Sequence, residues 1–332
     1  MPDLGSSTTR PPIDLPAGYR WAGSDEGWLA LWDERALELQ RAGYSAASDA
    51  PLLPSKHAGR GNLAEIDLAG GRLLVRRFQH GGLLRGVTGE RYLSPKRPFL
   101  ELQLSEQLRA AGFRTPRVVA ARARRSGPLA WHLELITERV PGTRDLGYML
   151  AEARTGTLSG ELRRRLCQGA GELVRDLHGA GFLHADLQPA NVLWEEGDDS
   201  PETGSVESDQ PAQSGEPADF ALSPEGETHA AASRPPRLWV LDLDGSVWRY
   251  PLGRPERIAN LRRLWRNVER RERSLGPSLT GADLARFLRA YDPADWRSLA
   301  TEIEASRARR EPLHRVGHAL DGGRRIAKDP RS

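Results

Sequence analysis

Cysteine is almost missing from this chain of 332 residues, where Cys167 stands alone. An internal disulfide and any cysteine-cluster metal site are thereby excluded, and a reducing compartment is expected. The thiol itself reads as a small buried residue on a helix. Lysine is nearly as scarce, confined to Lys56, Lys96 and Lys328, so any mechanism that needs a lysine has three candidates. Long apolar runs are also lacking: no stretch approaches the ~18 to 20 consecutive residues of a membrane-spanning helix. Residues 1–16 show neither the basic start nor the apolar core of a secretory signal, so a cytoplasmic protein is expected. No aromatic platform or recognition motif accompanies the basic residues, and nucleic acid is not an expected partner.

What the chain has in excess is arginine. Lysine and arginine total 48 against 45 acids, a net charge of +3. Eleven of the acids and one arginine fall in residues 195–236, which leaves 47 basic against 34 acidic residues, or +13, for the remainder. That remainder should attract an anionic partner. The acidic segment is rich in Pro, Gly and Ser and poor in large apolar residues, so it reads as a disordered insert. Its flanks, Asn191–Trp194 and Arg237–Leu243, read as two strands that would pair if it were removed.

Residues 1–55 read as an extension, partly disordered, around one short helix from Glu26 to Arg41. Strands begin at Leu63–Leu68 and Arg72–Phe78, a hairpin turned at Gly70-Gly71. A helix over Phe99–Ala111 and strands over Arg117–Ala123 and Trp131–Glu138 complete a β-rich lobe, residues 56–140, before Pro141-Gly142 breaks the pattern. Residues 141–320 read as a helical lobe carrying the insert, with a helix over Gly160–Ala180 and helical periodicity again from Glu256; residues 321–332 read as a disordered tail. The fold class is α+β.

Chemistry concentrates in His184-Ala185-Asp186-Leu187-Gln188-Pro189-Ala190-Asn191, followed beyond the insert by Leu241-Asp242-Leu243-Asp244. Together these resemble the catalytic loop and metal-binding motif of the protein-kinase-like superfamily, which implies a bilobal fold, ATP and Mg²⁺. The resemblance makes Asp186, Asn191 and Asp242 the catalytic set. Asp186 orients or deprotonates an acceptor hydroxyl, Asn191 and Asp242 hold Mg²⁺, and His184 braces the loop. Gly59 and Gly61, between strands, are placed to let backbone amides approach phosphate, although an ordinary hairpin turn explains the pair as well. Arg76 stands where the strand usually ends in an ATP-contacting lysine; it keeps the charge but offers a planar fork. Its partner is Glu101 on the next helix, with Glu106 as the alternative. Thr137–Val140, including Glu138, occupy the interlobe position that presents backbone groups to adenine.

The body from about Lys56 to about Trp296 most closely resembles the 3-deoxy-D-manno-octulosonic acid (Kdo) kinase branch of the lipopolysaccharide kinases. The residues that carry this are Gly59-Arg60-Gly61, Leu74-Val75-Arg76-Arg77-Phe78, Gly81-Gly82-Leu83, Arg91-Tyr92-Leu93, Arg144-Asp145-Leu146 and the two acidic motifs. The resemblance implies phosphorylation of a Kdo sugar of Kdo-lipid A, on the cytoplasmic face of an inner membrane, with peripheral membrane contact and no obligate protein partner. Departures are Gln188, the acidic insert and the N-terminal extension. Between Arg249 and Arg273 lie nine arginines against three glutamates. Ile258, Leu261, Leu264, Trp265 and Val268 form an apolar stripe there, with Arg262, Arg263, Arg266 and Arg270 largely elsewhere. That helix suits either an anionic membrane surface or the core of a helical lobe with a solvated basic face. A heptose kinase, another kinase of the same fold, and a lipopolysaccharide-binding pseudokinase remain alternatives.

Overall fold

The computed structural model describes residues 13–54, 63–79, 91–195 and 237–305. The first lobe is built on β1 (Tyr19–Trp21), β2 (Gly27–Trp32), β3 (Leu53–Pro54), β4 (Leu63–Leu68), β5 (Gly71–Arg77), β6 (Val118–Gly127) and β7 (Ala130–Glu138). They form one sheet in the order β1-β2-β6-β7-β5-β4-β3, every neighbouring pair antiparallel. Two helices join it, α1 (Asp33–Arg41) and α2 (Arg97–Ala110).

The N-terminal region is no appendage, contrary to expectation. β1, β2 and β3 extend the sheet at both edges, and Leu29, Leu31, Ala36, Leu39 and Tyr44 lie in the same buried cluster as Val75, Phe99 and Ile136. The helix expected over Glu26–Arg41 is a strand as far as Trp32 and a helix only from Asp33. Gly-Trp-Leu-Ala-Leu-Trp is buried on both faces, so it lacks the alternation that marks a strand, and short apolar runs are ambiguous by periodicity. Gly27 is required where β2 crosses β6, because a Cβ there would stand 2.5 Å from the Ala123 carbonyl oxygen.

The second lobe comprises β8 (Thr143–Asp145), α3 (Leu146–Thr155), α4 (Gly160–Ala180), β9 (Phe182–Leu183), β10 (Val192–Glu195), β11 (Arg237–Val240), β12 (Val247–Trp248), α5 (Arg254–Leu275) and α6 (Gly281–Tyr291). Residues 296–305 are helical as well. Ser159 caps α4 by accepting from the Leu162 amide, and Gly181 ends it at φ 87°. The left-handed turn at Gly181 sends the chain into β9 and so to the catalytic loop. β10 pairs with β11 and with β8, as the flanks of the acidic segment suggest. The apolar stripe of α5 packs inward: Leu261, Leu264, Trp265 and Val268 line an apolar cavity that Cys167 shares. Burial pushes the Cys167 thiol up to about 12, which leaves it unreactive. Arg262 is buried too, so it is not part of a solvated basic face. The expected disorder of residues 196–236 and 321–332 concerns positions outside the described residues.

A third apolar cluster ties the lobes together. Leu108 of α2 meets Leu177 of α4, Phe182, Val240 and Leu243, with Leu104, Phe113 and Trp248 packed against them. The Val240 amide donates to the Arg114 carbonyl at 2.9 Å in the same region. Leu243 thereby anchors its two acidic neighbours beneath α2.

Because Glu195 of β10 stands in register with Arg237 of β11, replacing residues 196–236 by a tight turn should leave the pairing intact. Such a variant is expected to unfold cooperatively in urea with a midpoint close to that of the full chain. A broad or multistep transition would show that the excised residues support the fold.

Candidate active site

Between the lobes, Arg76 at the end of β5 directs its two terminal nitrogens to different carboxylates. Nη2 donates to Glu101 Oε2 on α2 and Nη1 donates to Asp242 Oδ1. Of the two candidate partners the structure selects Glu101. Glu106 instead lies 3.0 Å from the Tyr19 hydroxyl and near Arg109 and Arg117. Glu101 is 4% exposed. Burial pushes its carboxyl up, with Asp242 and Asp244 adding to the effect and Arg76 opposing it. Burial also works against the charge on Arg76, but Glu101 and Asp242 outweigh it and hold the guanidinium firmly protonated. A second cross-brace follows: Arg97, at the start of α2, donates to Asp244 at 2.7 and 2.8 Å. Phe78 lies under both guanidiniums, with 4.6 Å from Arg76 and 5.4 Å from Arg97 to its ring centre.

The catalytic loop has every backbone group from the His184 carbonyl to the Asp186 carbonyl engaged. Asn260 Nδ2 of α5 donates to the His184 carbonyl at 2.7 Å, and Arg263 donates to the Ala185 carbonyl. The Ala185 amide donates to Ser246 Oγ at 3.0 Å, and the Asp186 amide to His184 Nδ1 at 3.1 Å. Asn191 Nδ2 closes the set at the Asp186 carbonyl, 3.0 Å away. His184, 1% exposed, also contacts the Leu241 carbonyl through Nε2 at 2.9 Å. These partners assign the Nε2–H tautomer of neutral imidazole. Burial holds its pKa below the ordinary value, which keeps the ring neutral. His184 therefore joins the Asp186 loop to the Leu241–Asp244 segment, as a brace and not a reactant.

Three residues meet as the spacing suggests. Gln188 Nε2 donates to Asp186 Oδ2 at 2.7 Å. The Leu241 amide donates to the Asn191 carbonyl at 2.9 Å, which sets Asp242 beside Asn191. Asp242 has φ 57°, the one positive value outside glycine among the described residues. Strained backbone of this kind costs of order 1 to 3 kcal/mol and is retained at functional sites. With the Asn191 amide nitrogen committed to Asp186, its oxygen and the partly exposed Asp242 carboxylate are the hard oxygen donors of this segment. That chemistry fits a hard cation such as Mg²⁺.

Two further expectations end differently. Glu138 turns its carboxylate toward Arg35 of α1, 3.7 Å away, and its amide donates to the Arg117 carbonyl. Its side chain thus belongs to the α1 contact and not to the Arg76 constellation. Gly59 and Gly61 lie outside the described residues. Sequence reading missed Ser246 and Asn260 and gave Arg97 and Arg263 no bracing role; Arg97, Ser246, Asn260 and Arg263 act on partners 147, 61, 76 and 78 positions away. No local pattern announces such pairs, although Asp244 repeats the acid two residues earlier.

A β-rich lobe, a helical lobe and this constellation between them agree with the bilobal α+β fold expected from the sequence. The model of the "Lipopolysaccharide kinase (Kdo/WaaP) family" matches residues 58–206. A 3-deoxy-D-manno-octulosonic acid kinase of Vibrio vulnificus is 30% identical over 177 residues, 52% of this chain and 66% of that protein. One of Stenotrophomonas maltophilia is 27% identical over 73% of this chain and 79% of that protein. A solved structure described as "WaaP in complex with acyl carrier protein" aligns with TM-score 0.48 and 20% identity, over 84% of this chain and 97% of that one. Over these stretches the chain is similar to the lipopolysaccharide kinase (Kdo/WaaP) family. It spans just under two thirds of the Vibrio vulnificus relative and 53% of an Actinobacillus succinogenes one.

Removing Arg76 should expose how much the fold depends on it. Arg76→Met leaves Glu101 buried without its cation, at a cost of roughly 3 to 5 kcal/mol near pH 8. The carboxyl can then take a proton, so the folded state binds more protons than the unfolded one and the deficit should shrink as pH falls toward 5. Urea titrations at the two pH values measure both effects, and an equal deficit at each would contradict the assigned burial.

His178 gives the opposite sign. It bridges Tyr291 at 2.8 Å and Asn260 at 3.1 Å, and burial lowers its pKa from 6.5 to about 4. Below pH 6.5 the unfolded chain takes the proton first, so this contribution is complete above 6.5 and lost as pH falls to about 4. The loss amounts to roughly 3 kcal/mol. Relative to wild type, His178→Gln should show a flatter stability profile across that window, whereas parallel profiles would mean the ring is not held neutral.

Proposed function

We propose that the protein transfers the γ-phosphoryl group of ATP to a hydroxyl of a Kdo sugar on Kdo-lipid A, in assembly of the lipopolysaccharide inner core. The observation that carries this reading is the convergence of Asp186, Asn191 and Asp242 on one braced loop, with Arg76 reaching Asp242 from the other lobe. The names of the relatives supply the acceptor class. Asp186 accepts the hydroxyl proton as the acceptor oxygen bonds to phosphorus and the bond to ADP breaks. Gln188 keeps its carboxylate oriented. Asn191 and Asp242 would hold Mg²⁺, which would neutralise phosphate charge. Arg76, fixed by Glu101, exchanges its Asp242 contact for nucleotide phosphate. Gly59 and Gly61 contribute backbone amides to the phosphates, and the backbone near Glu138 meets adenine.

Arg76 is the main feature in favour of a pseudokinase, yet it makes the acidic-helix contact expected of an active strand lysine. Its fork also grips a second carboxylate, which a compact ammonium does not match. The excess of arginine favours peripheral association with an anionic membrane face on the cytoplasmic side. Among the described residues, no helix is long and apolar enough to cross a membrane.

Mass spectrometry after incubation with ATP, Mg²⁺ and Kdo-lipid A should show a gain of one phosphoryl group, with heptosylated core as the comparison acceptor. Asp186→Asn should lower turnover by about 100-fold or more while leaving nucleotide affinity nearly unchanged. Asp242→Asn should weaken use of the metal nucleotide as well. Full turnover in a folded Asp186→Asn protein would remove the catalytic assignment, and preference for heptosylated core would move the acceptor.

A further inference from the structure

α5 does more than brace the catalytic loop. Asn260 and Arg263, about one turn apart, donate to the successive carbonyls of His184 and Ala185, so this face of the helix runs alongside the approach to Asp186. Arg266 and Arg270 follow Arg263 at i+3 and i+7 on that face, at ~5 Å per turn. Arg270 donates to Asn267 Oδ1 at 2.6 Å, and Asn267 donates to the Arg263 carbonyl at 3.1 Å. Among the described residues, none of Arg263, Arg266 and Arg270 has a carboxylate within ion-pair distance. Other arginines nearby are compensated: Arg254 by Asp295 and Glu302, and Arg249 by Glu256. Glu272 of the same helix is turned away and accepts from Ser278 and Leu279.

Uncompensated guanidiniums in a row that starts beside the catalytic acid have one natural complement, an oxyanion. Metal and nucleotide are assigned to other residues, Asn191, Asp242 and Arg76, which are linked to Asp186 and to one another and not to these arginines. We propose that Arg263, Arg266 and Arg270 form the acceptor subsite. They grip an oxyanion of the acceptor, either the carboxylate of a sugar acid or a phosphate on the lipid that carries it, and thereby set the reacting hydroxyl against Asp186. The inference rests on the phosphotransferase reading of the site. It makes the three arginines determinants of acceptor choice and separates them from Arg262, which is buried and available to no ligand.

Equilibrium binding of Kdo-lipid A in detergent, without ATP, tests the subsite independently of turnover. The full-length wild type is compared with Arg263→Gln and with the double variant Arg266→Gln/Arg270→Gln. The double variant touches no backbone of the catalytic loop, so it remains informative should Arg263→Gln unfold. Weakening of about tenfold per lost contact is expected, with ATP affinity unchanged in the double variant. A loss that disappears when the lipid A phosphates are removed assigns the contact to phosphate, and one that persists assigns it to the sugar carboxylate. Unchanged Kdo-lipid A binding in the double variant would overturn the inference, as would a loss confined to ATP. Turnover by wild type is scored separately. A wild type that binds but does not phosphorylate Kdo-lipid A refutes the proposed reaction, whereas an active wild type with indifferent variants refutes only the subsite.

Discussion

Arg76 is the interaction on which the arrangement between the lobes depends. A single planar group on β5 of the sheet lobe reaches both the helix α2 and the acidic segment after β11. The two carboxylates it joins stand on different elements and would repel one another without a cation between them. Glu101 is too buried to be left alone, and Asp242 sits in a conformation that few residues other than glycine adopt. Breaking the bridge therefore leaves a buried charge and a strained turn together, which explains why one guanidinium has disproportionate weight. The Arg97–Asp244 pair and the Leu108–Leu243 cluster repeat the connection on either side. α2 is thus held to the acidic segment directly by the Arg97–Asp244 pair and indirectly through Arg76, with an apolar contact at its C-terminal end.

Below that bridge, rigidity comes from hydrogen bonding. The backbone groups from the His184 carbonyl to the Asp186 carbonyl are all paired, and their partners arrive from three directions: α5, Ser246 and the loop itself. A loop of this kind normally takes its polar partners from water. Here it takes them from side chains that are themselves fixed, as Asn260 is by His178. Asp186 is consequently positioned before any ligand arrives, which is what electrostatic preorganisation requires. Two neutral histidines belong to this scaffold, and both tie its integrity to pH in the same direction.

Legibility in the sequence followed the range of the interaction. The hairpin of β4 and β5, the helix Gly160–Ala180 and the pairing of β10 with β11 could be read because each rests on neighbours in the chain or on a clear period. The motif residues Asp186, Asn191 and Asp242 were readable because their spacing is itself the signal. Gly27–Trp32 was not, since a strand covered on both faces loses its alternation. The place of residues 19–54 in the sheet was hidden for a related reason: edge strands of two and three residues carry almost no pattern. Arg262 shows the limit of helical wheels. It shares a helix with exposed arginines yet is buried, because what surrounds α5 is decided by elements far away in sequence.

The charge layout that emerges is polarised, which the net charge of +3 conceals. Toward the sheet lobe, Asp242, Asp244 and Glu101 outnumber Arg76 and Arg97, so that side has room for another cation and, through it, for a polyphosphate. Toward α5, none of Arg263, Arg266 and Arg270 makes an ion pair among the described residues, so that side has room for an anion. Asp186 lies at the boundary. Two anionic substrates brought together repel, and a site that compensates one with a cation and the other with arginines removes that penalty separately for each. The arginine richness of the chain thus has distinct consequences by position. Arginine spans two carboxylates at Arg76 and stabilises backbone at Arg263; where α5 leaves it unpaired, it supplies the charge by which an anionic acceptor would be held.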